Sequence, residues 1–246
     1  MPFDSHIHLG RLPHPKELAQ ALDQAGYAYN AVACEPAEWD PLWEIWQNSG
    51  LKEKKCNLAF GIHPMSVLQA KESHKQMLCS FLERDDCFMV GETGLDRRFP
   101  EYGPGELQEK WFLFQANLAL ELKRDLQIHC VGDYGRVIGL LKRLGFGKSP
   151  SDSRPIFHRF GGDIGIAHQI LEMGGLISVH PSSLTKKSSR SALADIPKEM
   201  LLFETDADES FWNASDTIGT PAMVAESVAQ RLLDALGNVR EAAEDL

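Results

Sequence analysis

Short apolar runs alternate with helix-length segments along most of this chain of 246 residues, and this alternation constrains the fold more than any other feature. The predicted strands are Pro2–Leu9, Ala28–Cys34, Asn57–His63, Phe88–Glu92, Leu126–Cys130, Pro155–Phe160, Leu176–His180 and Leu201–Thr205. Strands joined by helical crossovers run parallel, because each crossover returns the chain to the same end of the sheet. Eight strands, seven crossovers and a final helix favour an α/β fold, a closed (β/α)8 TIM barrel, and the chain length fits one.

The segments between the strands have helical periodicity. Apolar residues from Leu107 to Leu122 recur at steps of three and four, which gives that segment one apolar face. A last helix is predicted to begin at Pro221 and to end before Gly237. The polar stretches 186–190 and 208–219 are predicted loops. No repeat or linker interrupts the pattern, so residues 1–246 are predicted to form one domain.

Cysteine usage and hydropathy indicate the compartment. The chain has five cysteines and no CxxC pair, which favours free thiols in a reducing compartment over a disulfide framework. No signal peptide and no apolar run of membrane-spanning length is recognisable. We therefore expect a cytoplasmic protein with no membrane partner. The sequence gives no indication of its oligomeric state.

The net charge of −10 opposes non-specific binding of nucleic acid through the overall field of the protein. It does not exclude a nuclease, because bound divalent ions and a few basic side chains can reverse the field locally. Basic residues that follow predicted strand ends, and that can serve this purpose or simply be solvated, are Arg97, Arg98, Arg159, Lys186, Lys187 and Arg190.

Six residues at or near strand ends carry the chemistry: His6, His8, Glu92, His129, His158 and Asp206. Two histidines spaced two apart on a strand project to the same side, which in a barrel is the interior. Imidazoles and carboxylates are the usual ligands of catalytic divalent metals. Each residue taken alone has a structural alternative, such as a hydrogen-bonded core histidine or a helix N-cap acid. Their coincidence at the strand ends of one barrel predicts a metal-dependent hydrolase.

The chain resembles the TatD-like deoxyribonuclease family, which belongs to the amidohydrolase-like superfamily of metal-dependent hydrolases. The motifs that carry the resemblance follow the family's order and spacing from strand one to strand eight. They are DSHIHLG at 4–10, GIHP at 61–64, GETGLD at 91–96, IHC at 128–130, FHRFGG at 157–162 and LFETDA at 202–207.

The resemblance implies a TIM barrel that holds one or two divalent ions, with Zn2+, Mg2+ and Mn2+ as candidates. It implies that His6, His8 and Asp206 bind a first ion, that His129 and His158 bind a second, and that Glu92 bridges them. Two such ions lie about 3.5–4 Å apart and can lower the pKa of a water molecule toward neutrality. The catalytic residues are then Glu92 and Asp206. Asp206 either orients and deprotonates that water or acts purely as a ligand.

Four further residues are candidate substrate contacts: His63, Asp96, Arg159 and His180. His63 is expected to contact a substrate phosphate or a metal ligand, and a structural role is the alternative. Several positions depart from the family pattern. Val131 stands where the family usually has an arginine, Met65 where a histidine is frequent, and Asp208 where a proline is usual. The metal ligands are thus retained, while the substrate contacts are altered.

Three functions fit this pattern. The leading one is hydrolysis of phosphodiester bonds at DNA ends by an exonucleolytic, metal-dependent deoxyribonuclease. The second is hydrolysis of a small-molecule amide, lactone or phosphoester, which the altered loops and acidic surface favour. The third is a non-catalytic protein with a vestigial site, and the intact ligand set argues against it.

Overall fold

The computed structural model describes residues 2–48, 56–85, 88–148, 153–212 and 218–246. The described strands form one eight-stranded parallel sheet, in which each strand pairs with its neighbours in chain order. The strands are β1 (Phe3–Ile7), β2 (Ala28–Ala33), β3 (Asn57–Phe60), β4 (Met89–Asp96), β5 (Leu126–Val131), β6 (Pro155–Phe157), β7 (Leu176–Val179) and β8 (Leu201–Phe203). The predicted TIM barrel and all eight predicted strands are confirmed.

The barrel closes between its first and last strands. Beyond the ends of β1 and β8, the Asp206 N–H donates to the His6 carbonyl at 3.0 Å, and the His8 N–H donates to the Ala207 carbonyl at 2.9 Å. These two hydrogen bonds fasten three of the predicted metal-binding residues to one another through their backbones. The geometry of the site thus depends directly on closure of the barrel.

A buried carboxylate reinforces this closure. Asp4 is fully buried, and its two oxygens accept hydrogen bonds from the Thr205 N–H and hydroxyl, the Tyr27 hydroxyl and the His6 N–H. Asp4 therefore links β1 to the residue that precedes β2 and to the segment that follows β8. Burial raises the pKa of Asp4 to about 6, although the four hydrogen bonds act in the opposite direction.

The raised pKa of Asp4 makes stability depend on pH. The folded-state pKa lies above the ordinary value of 3.8, so this contribution to stability is full below pH 4 and is lost as pH rises through about 6. The loss amounts to about 3 kcal/mol, at 1.36 kcal/mol for each unit of pKa difference. Denaturant unfolding of the metal-free wild type and of Asp4→Asn, which does not titrate, measures it. The difference in unfolding free energy should fall from pH 4 to pH 7. A difference that does not change with pH contradicts the prediction.

Helices surround the barrel and bury their apolar faces on it. They are α1 (Pro15–Gln24), α2 (Pro36–Asn48), α3 (Glu72–Leu82), α4 (Gly105–Leu122), α5 (Tyr134–Leu144), α6 (Ile164–Glu172), α7 (Pro181–Thr185), α8 (Lys187–Ala194) and α9 (Pro221–Glu244). The apolar face predicted for α4 is confirmed in part, since Trp111 and Leu118 are buried while Leu107, Phe114 and Leu122 are partly buried against the core.

Several predicted boundaries were wrong. Strand β4 continues to Asp96, four residues beyond its predicted end, while β3 and β6 each end three residues earlier than predicted. Three differences lie outside the strands. The stretch 186–190 is largely helix α8, because the buried Ala192 and Leu193 that follow it anchor a helix against the core. Helix α9 passes through Gly237, where buried packing of Leu236 and Val239 outweighs the low helix propensity of glycine. In the predicted loop 208–219, Glu209–Phe211 forms a short 3-10 helix, and residues 213–217 lie outside the described part.

Among the described helices, none combines the length and apolar character that a membrane crossing requires. Four cysteines, Cys34, Cys56, Cys79 and Cys130, are free thiols, and Cys87 lies outside the described residues.

Candidate metal centre

All six predicted metal-binding residues meet at the carboxyl ends of the strands. His6 lies in β1, Glu92 in β4 and His129 in β5. His8 and His158 directly follow β1 and β6, and Asp206 lies three residues after the end of β8. All but His129 and Asp206 are at most 6% exposed. The prediction that these residues form one cluster is therefore supported by their positions.

His6, His8 and Asp206 form the first group. Asp206 Oδ1 lies 3.7 Å from His6 Nε2 and 3.3 Å from His8 Nε2. Ligand atoms of all three residues lie within 4.8 Å of one another. His6 Nε2 is buried and has no hydrogen-bond partner. An unpaired buried nitrogen that faces two carboxylates is costly unless a cation satisfies it, so these residues fit a bound metal ion.

Glu92 connects this group to a second one. Its Oε2 atom lies 3.3 Å from His6 Nε2 and 3.8 Å from His8 Nε2. Its Oε1 atom lies 2.8 Å from His129 Nδ1 and 2.7 Å from His158 Nε2. One carboxylate oxygen therefore faces each histidine pair, which is the arrangement that a bridging ligand requires.

In each of the four imidazoles, the ring nitrogen that points away from the cluster faces another side chain. The pairs are His6 Nδ1 with Gln127 Oε1 at 3.3 Å, His8 Nδ1 with Cys34 Sγ at 3.8 Å, His129 Nε2 with Asp96 Oδ2 at 2.9 Å, and His158 Nδ1 with Glu204 Oε1 at 3.6 Å. Such partners orient a metal-binding histidine and fix which nitrogen is free to coordinate. The imidazoles of the cluster are thus surrounded by further polar side chains, as the histidines of metal sites usually are.

The electrostatics also favour a cation. Burial alone would raise the pKa of Glu92, but the surrounding imidazoles outweigh it and hold that pKa well below its usual range. The same balance applies to Asp206, whose pKa is lowered by the hydrogen bond from His8 and the charges of His158 and His6. Both carboxylates are therefore ionised near neutral pH. Conversely, Glu92 and Glu204 raise the pKa of His158 well above its usual value, although burial opposes them.

His63 lies beside the same cluster, but its ring nitrogen that faces the cluster is a hydrogen-bond donor. Its Nδ1 atom accepts a hydrogen bond from the Met65 N–H at 3.1 Å, and burial lowers the pKa of His63 well below its usual value. The neutral ring therefore carries its proton on Nε2, which lies 3.5 Å from Glu92 Oε1. A protonated nitrogen donates to a carboxylate or phosphate oxygen and does not bind a metal. This geometry supports the predicted contact with substrate or with a metal ligand.

The other three predicted substrate contacts occupy different positions. Asp96 is 1% exposed and accepts hydrogen bonds from His129 Nε2 and from the Arg98 guanidinium, so it orients His129. Arg159 is half exposed and donates to Asp206 Oδ2 at 2.7 Å. His180 caps α7 and accepts from the Ser182 N–H at 3.1 Å. Among the described residues that line the cavities of the site, His180 is absent, and its substrate contact stays a prediction.

Arg159 adopts a backbone conformation that is uncommon for arginine. Its φ of 44° lies in the left-handed region, which costs an L-residue about 1 kcal/mol or more. The Arg159 N–H donates to Glu204 Oε1 at 2.6 Å, which holds this conformation. Asp206 has a similar φ of 49°. Strained residues of this kind cluster at functional sites, and these two pair with each other.

Sequence reasoning did not identify three of the outer partners: Cys34, Gln127 and Glu204. Glu204 stands two positions before Asp206, and Gln127 two before His129, so strand periodicity places each on the same face as a predicted ligand. That spacing was a usable signal. Cys34 directly follows β2, and no residue near it in the sequence indicates that it approaches His8.

Two cavities open beside the cluster. The central cavity, of about 180 Å3, is lined by most of the candidate metal-binding residues. Its charged lining consists of three arginines and four carboxylates, those of Glu92, Asp96, Asp206 and Asp208. The basic recess, of about 260 Å3, lies next to it and is lined by Arg98, Tyr134, Arg159, Gly161, Ser182 and Lys186, among others. The two cavities share a wall formed by Arg98, His129, His158 and Arg159.

Comparisons with known proteins agree with this site. An uncharacterized metal-dependent hydrolase of Haemophilus influenzae is 26% identical over 220 residues, which are 84% of this chain and 81% of the relative. The 3'-5' ssDNA/RNA exonuclease TatD of Citrobacter koseri is 28% identical over 155 residues, which are 62% of this chain and 58% of that protein.

A solved structure and a family profile complete the comparison. The crystal structure of YJJV, a TatD homolog from Escherichia coli, is 22% identical, with a TM-score of 0.74 over 98% of this chain and 97% of that chain, and it shows the same fold. The profile of the TatD related DNase family matches residues 3–241. The expected family is thereby confirmed: the chain belongs to the TatD-related DNases, which are metal-dependent hydrolases.

Proposed function

We propose that this protein is a divalent-metal-dependent exonuclease that removes nucleotides from the 3' ends of single-stranded DNA or RNA. The observation that carries the proposal is the placement of Glu92, one oxygen of which faces His6 and His8 while the other faces His129 and His158. Two ion positions on either side of one carboxylate suit the in-line displacement of a phosphodiester. The 3'-to-5' direction and the single-stranded substrate are carried over from the Citrobacter koseri relative.

The residues present fit two ions. His6, His8 and Asp206 would hold one ion and His129 and His158 the other, with Glu92 between them. Zn2+, Mg2+ and Mn2+ all accept this mixture of imidazole and carboxylate ligands. Divalent ions bound there would supply Lewis-acid stabilisation of phosphate charge and a more acidic water. The remaining chemistry belongs to the side chains of the protein.

Asp206 is held in place to handle the proton of the attacking water. Its Oδ1 atom faces His6 and His8, and its Oδ2 atom is fixed by Arg159. The carboxylate is ionised, so it can accept a hydrogen bond from water and orient it toward the phosphorus. Arg159 adds positive charge on the open side of the cavity, where a phosphate oxygen would lie. His63 offers its Nε2 proton to the same region.

Degradation of an end-labelled single-stranded oligonucleotide tests this function. With Mg2+, Mn2+ or Zn2+ present, a 5'-labelled strand should shorten progressively from its 3' end, and a 3'-labelled strand should release labelled mononucleotide at once. EDTA should abolish both reactions. The matched oligonucleotide with a 3'-terminal phosphorothioate linkage should resist degradation, because a non-bridging oxygen of the scissile phosphate is replaced.

Other results assign other functions. Internal cleavage without progressive shortening would replace the exonuclease with an endonuclease. No cleavage by protein with full metal content, together with turnover of a small lactone, amide or phosphomonoester, would establish the alternative hydrolase function.

We also propose a cytoplasmic location, which the free thiols at four described cysteines support.

A further inference from the structure

We propose that the basic recess binds the phosphate next to the scissile one, so that the enzyme prefers a strand with at least two consecutive phosphodiester linkages at its 3' end. This inference rests on the proposed nuclease function and assigns a substrate contact to Lys186, a residue with no role in the metal centre. The recess would bind a part of the substrate that does not react, whereas the metal-binding residues act on the bond that is hydrolysed.

The charge of the recess is the first observation. Three cationic side chains, Arg98, Arg159 and Lys186, line it, and none of the described residues that line it is an aspartate or glutamate. The chain as a whole carries 35 acidic and 25 basic side chains, so a wall with only cations contrasts with the rest of the protein. The central cavity next to it has four carboxylates beside three arginines, and it shares Arg98 and Arg159 with the recess, whereas Lys186 lines the recess alone. Ions held by the metal-binding residues would form one positive centre, and the recess forms a second one for the same polyanion.

Unused hydrogen-bond donors are the second observation. Arg159 uses one terminal nitrogen on Asp206, and Arg98 uses Nε and one terminal nitrogen on Asp96, so each guanidinium keeps further N–H groups. Lys186 has no carboxylate partner among the described residues. A Cβ atom placed on Gly161 would lie 3.7 Å from Lys186 Nζ and 3.9 Å from the Tyr134 hydroxyl, so these two polar groups converge above Gly161.

The shape of the recess favours a phosphate over a nucleobase. Proteins that bind single-stranded nucleic acid hold its bases by stacking them on exposed aromatic side chains. The aromatic residues of this recess are packed against protein, since Tyr134 stacks on Phe157 and meets the buried Phe160 edge to face. The recess thus offers cationic donors and a hydroxyl to its ligand. Its shared wall with the central cavity includes His129 and His158, so the recess adjoins the metal-binding residues closely enough for one substrate to reach both.

A comparison of modified oligonucleotides with matched variants tests the proposal. A methylphosphonate at the second linkage from the 3' end removes one negative charge beside the scissile phosphate, and a methylphosphonate at a distant internal linkage is the substrate control. The variant is Lys186→Ala. Its matched control is Lys187→Ala, which removes the same charge from an adjacent exposed residue that does not line the recess.

For wild type and Lys187→Ala, the methylphosphonate at the second linkage should raise KM roughly 3- to 10-fold, which is typical of a partly exposed charge-assisted hydrogen bond. In Lys186→Ala, KM for the unmodified strand should already be raised by a similar factor, with kcat nearly unchanged. The methylphosphonate should then raise KM by a clearly smaller factor than in wild type, because one of the three cationic partners of that charge is already missing. Fluorescence anisotropy with the metal-loaded Asp206→Asn variant should show the same pattern in equilibrium affinity without turnover.

The outcomes separate the two proposals. If wild-type enzyme degrades oligonucleotides but all variants respond equally to the second-linkage methylphosphonate, the recess proposal is overturned and the nuclease function stands. An equal effect of the distant methylphosphonate points to general electrostatic attraction and also overturns it. If metal-loaded protein neither degrades nor binds oligonucleotides, both proposals fail together.

Discussion

Replacing Asp206 with asparagine is expected to lower kcat for oligonucleotide hydrolysis at least about 100-fold, the usual scale for a lost general base. The amide cannot accept the proton of water, and it removes the negative charge that faces His6 and His8 at 3.7 and 3.3 Å. It also leaves Arg159 without its carboxylate partner. Steady-state kinetics at saturating metal measure the effect, and elemental analysis of the same samples gives the metal content.

A matched control separates chemistry from local charge. Asp208→Asn makes the same change at the rim of the central cavity, where the Asp208 side chain accepts hydrogen bonds from the Ser210 N–H and hydroxyl. This variant should keep most of its kcat. If Asp206→Asn keeps full metal content and a wild-type kcat, the carboxylate is not the base. Loss of metal together with activity would assign Asp206 the role of ligand alone.

Replacing Gly94 with alanine should destabilise the fold by more than about 4 kcal/mol, at the extreme of single substitutions. A Cβ atom at Gly94 would lie 1.8 Å from the His129 carbonyl oxygen and 2.8 Å from its carbon. These are backbone atoms of the paired strand β5, and Gly94 is the direct partner of His129 in the sheet. The φ of 154° at Gly94 adds further strain for any L-residue. Relief of the overlap requires that β5 move away from β4.

Gly139→Ala is the matched control for this substitution. Gly139 lies inside α5, and a Cβ atom there meets no other atom within 4 Å. Alanine should therefore stabilise the protein by up to about 1 kcal/mol through helix propensity. Denaturant unfolding measures both variants. Any folded Gly94→Ala protein should also bind metal more weakly, because His129 is displaced from Glu92. Equal stability of Gly94→Ala and wild type would refute the argument.

The fold was predictable because its signals are local. Eight buried parallel strands read as apolar runs, and the crossovers have helical periodicity, so the barrel follows from spacing alone. The boundary errors arose where tertiary packing outweighs local preference. Gly237 weakens a helix in isolation, yet α9 continues through it because Leu236 and Val239 are buried against the barrel.

The convergence of the proposed metal-binding residues was predictable for a similar reason. Strand ends of a parallel barrel converge at one rim, so His6, Glu92 and His129 must approach one another wherever the strands lie in the sequence. Residues that support them were harder to identify. Cys34 and His8 follow the adjacent strands β2 and β1, and only the register between these strands brings the two side chains into contact.

The sequence by itself determined the barrel, the family and the convergence of the six proposed metal-binding residues, because each follows from strand periodicity or from motifs of a few consecutive residues. Only the tertiary structure decided which nitrogen of each histidine is free, and that Glu92 faces both histidine pairs. It alone also placed Lys186 beside Arg98 and Arg159 in the basic recess. These properties depend on distances between side chains from different strands. Such distances are set by the closure and register of the whole barrel and leave no pattern in any single segment.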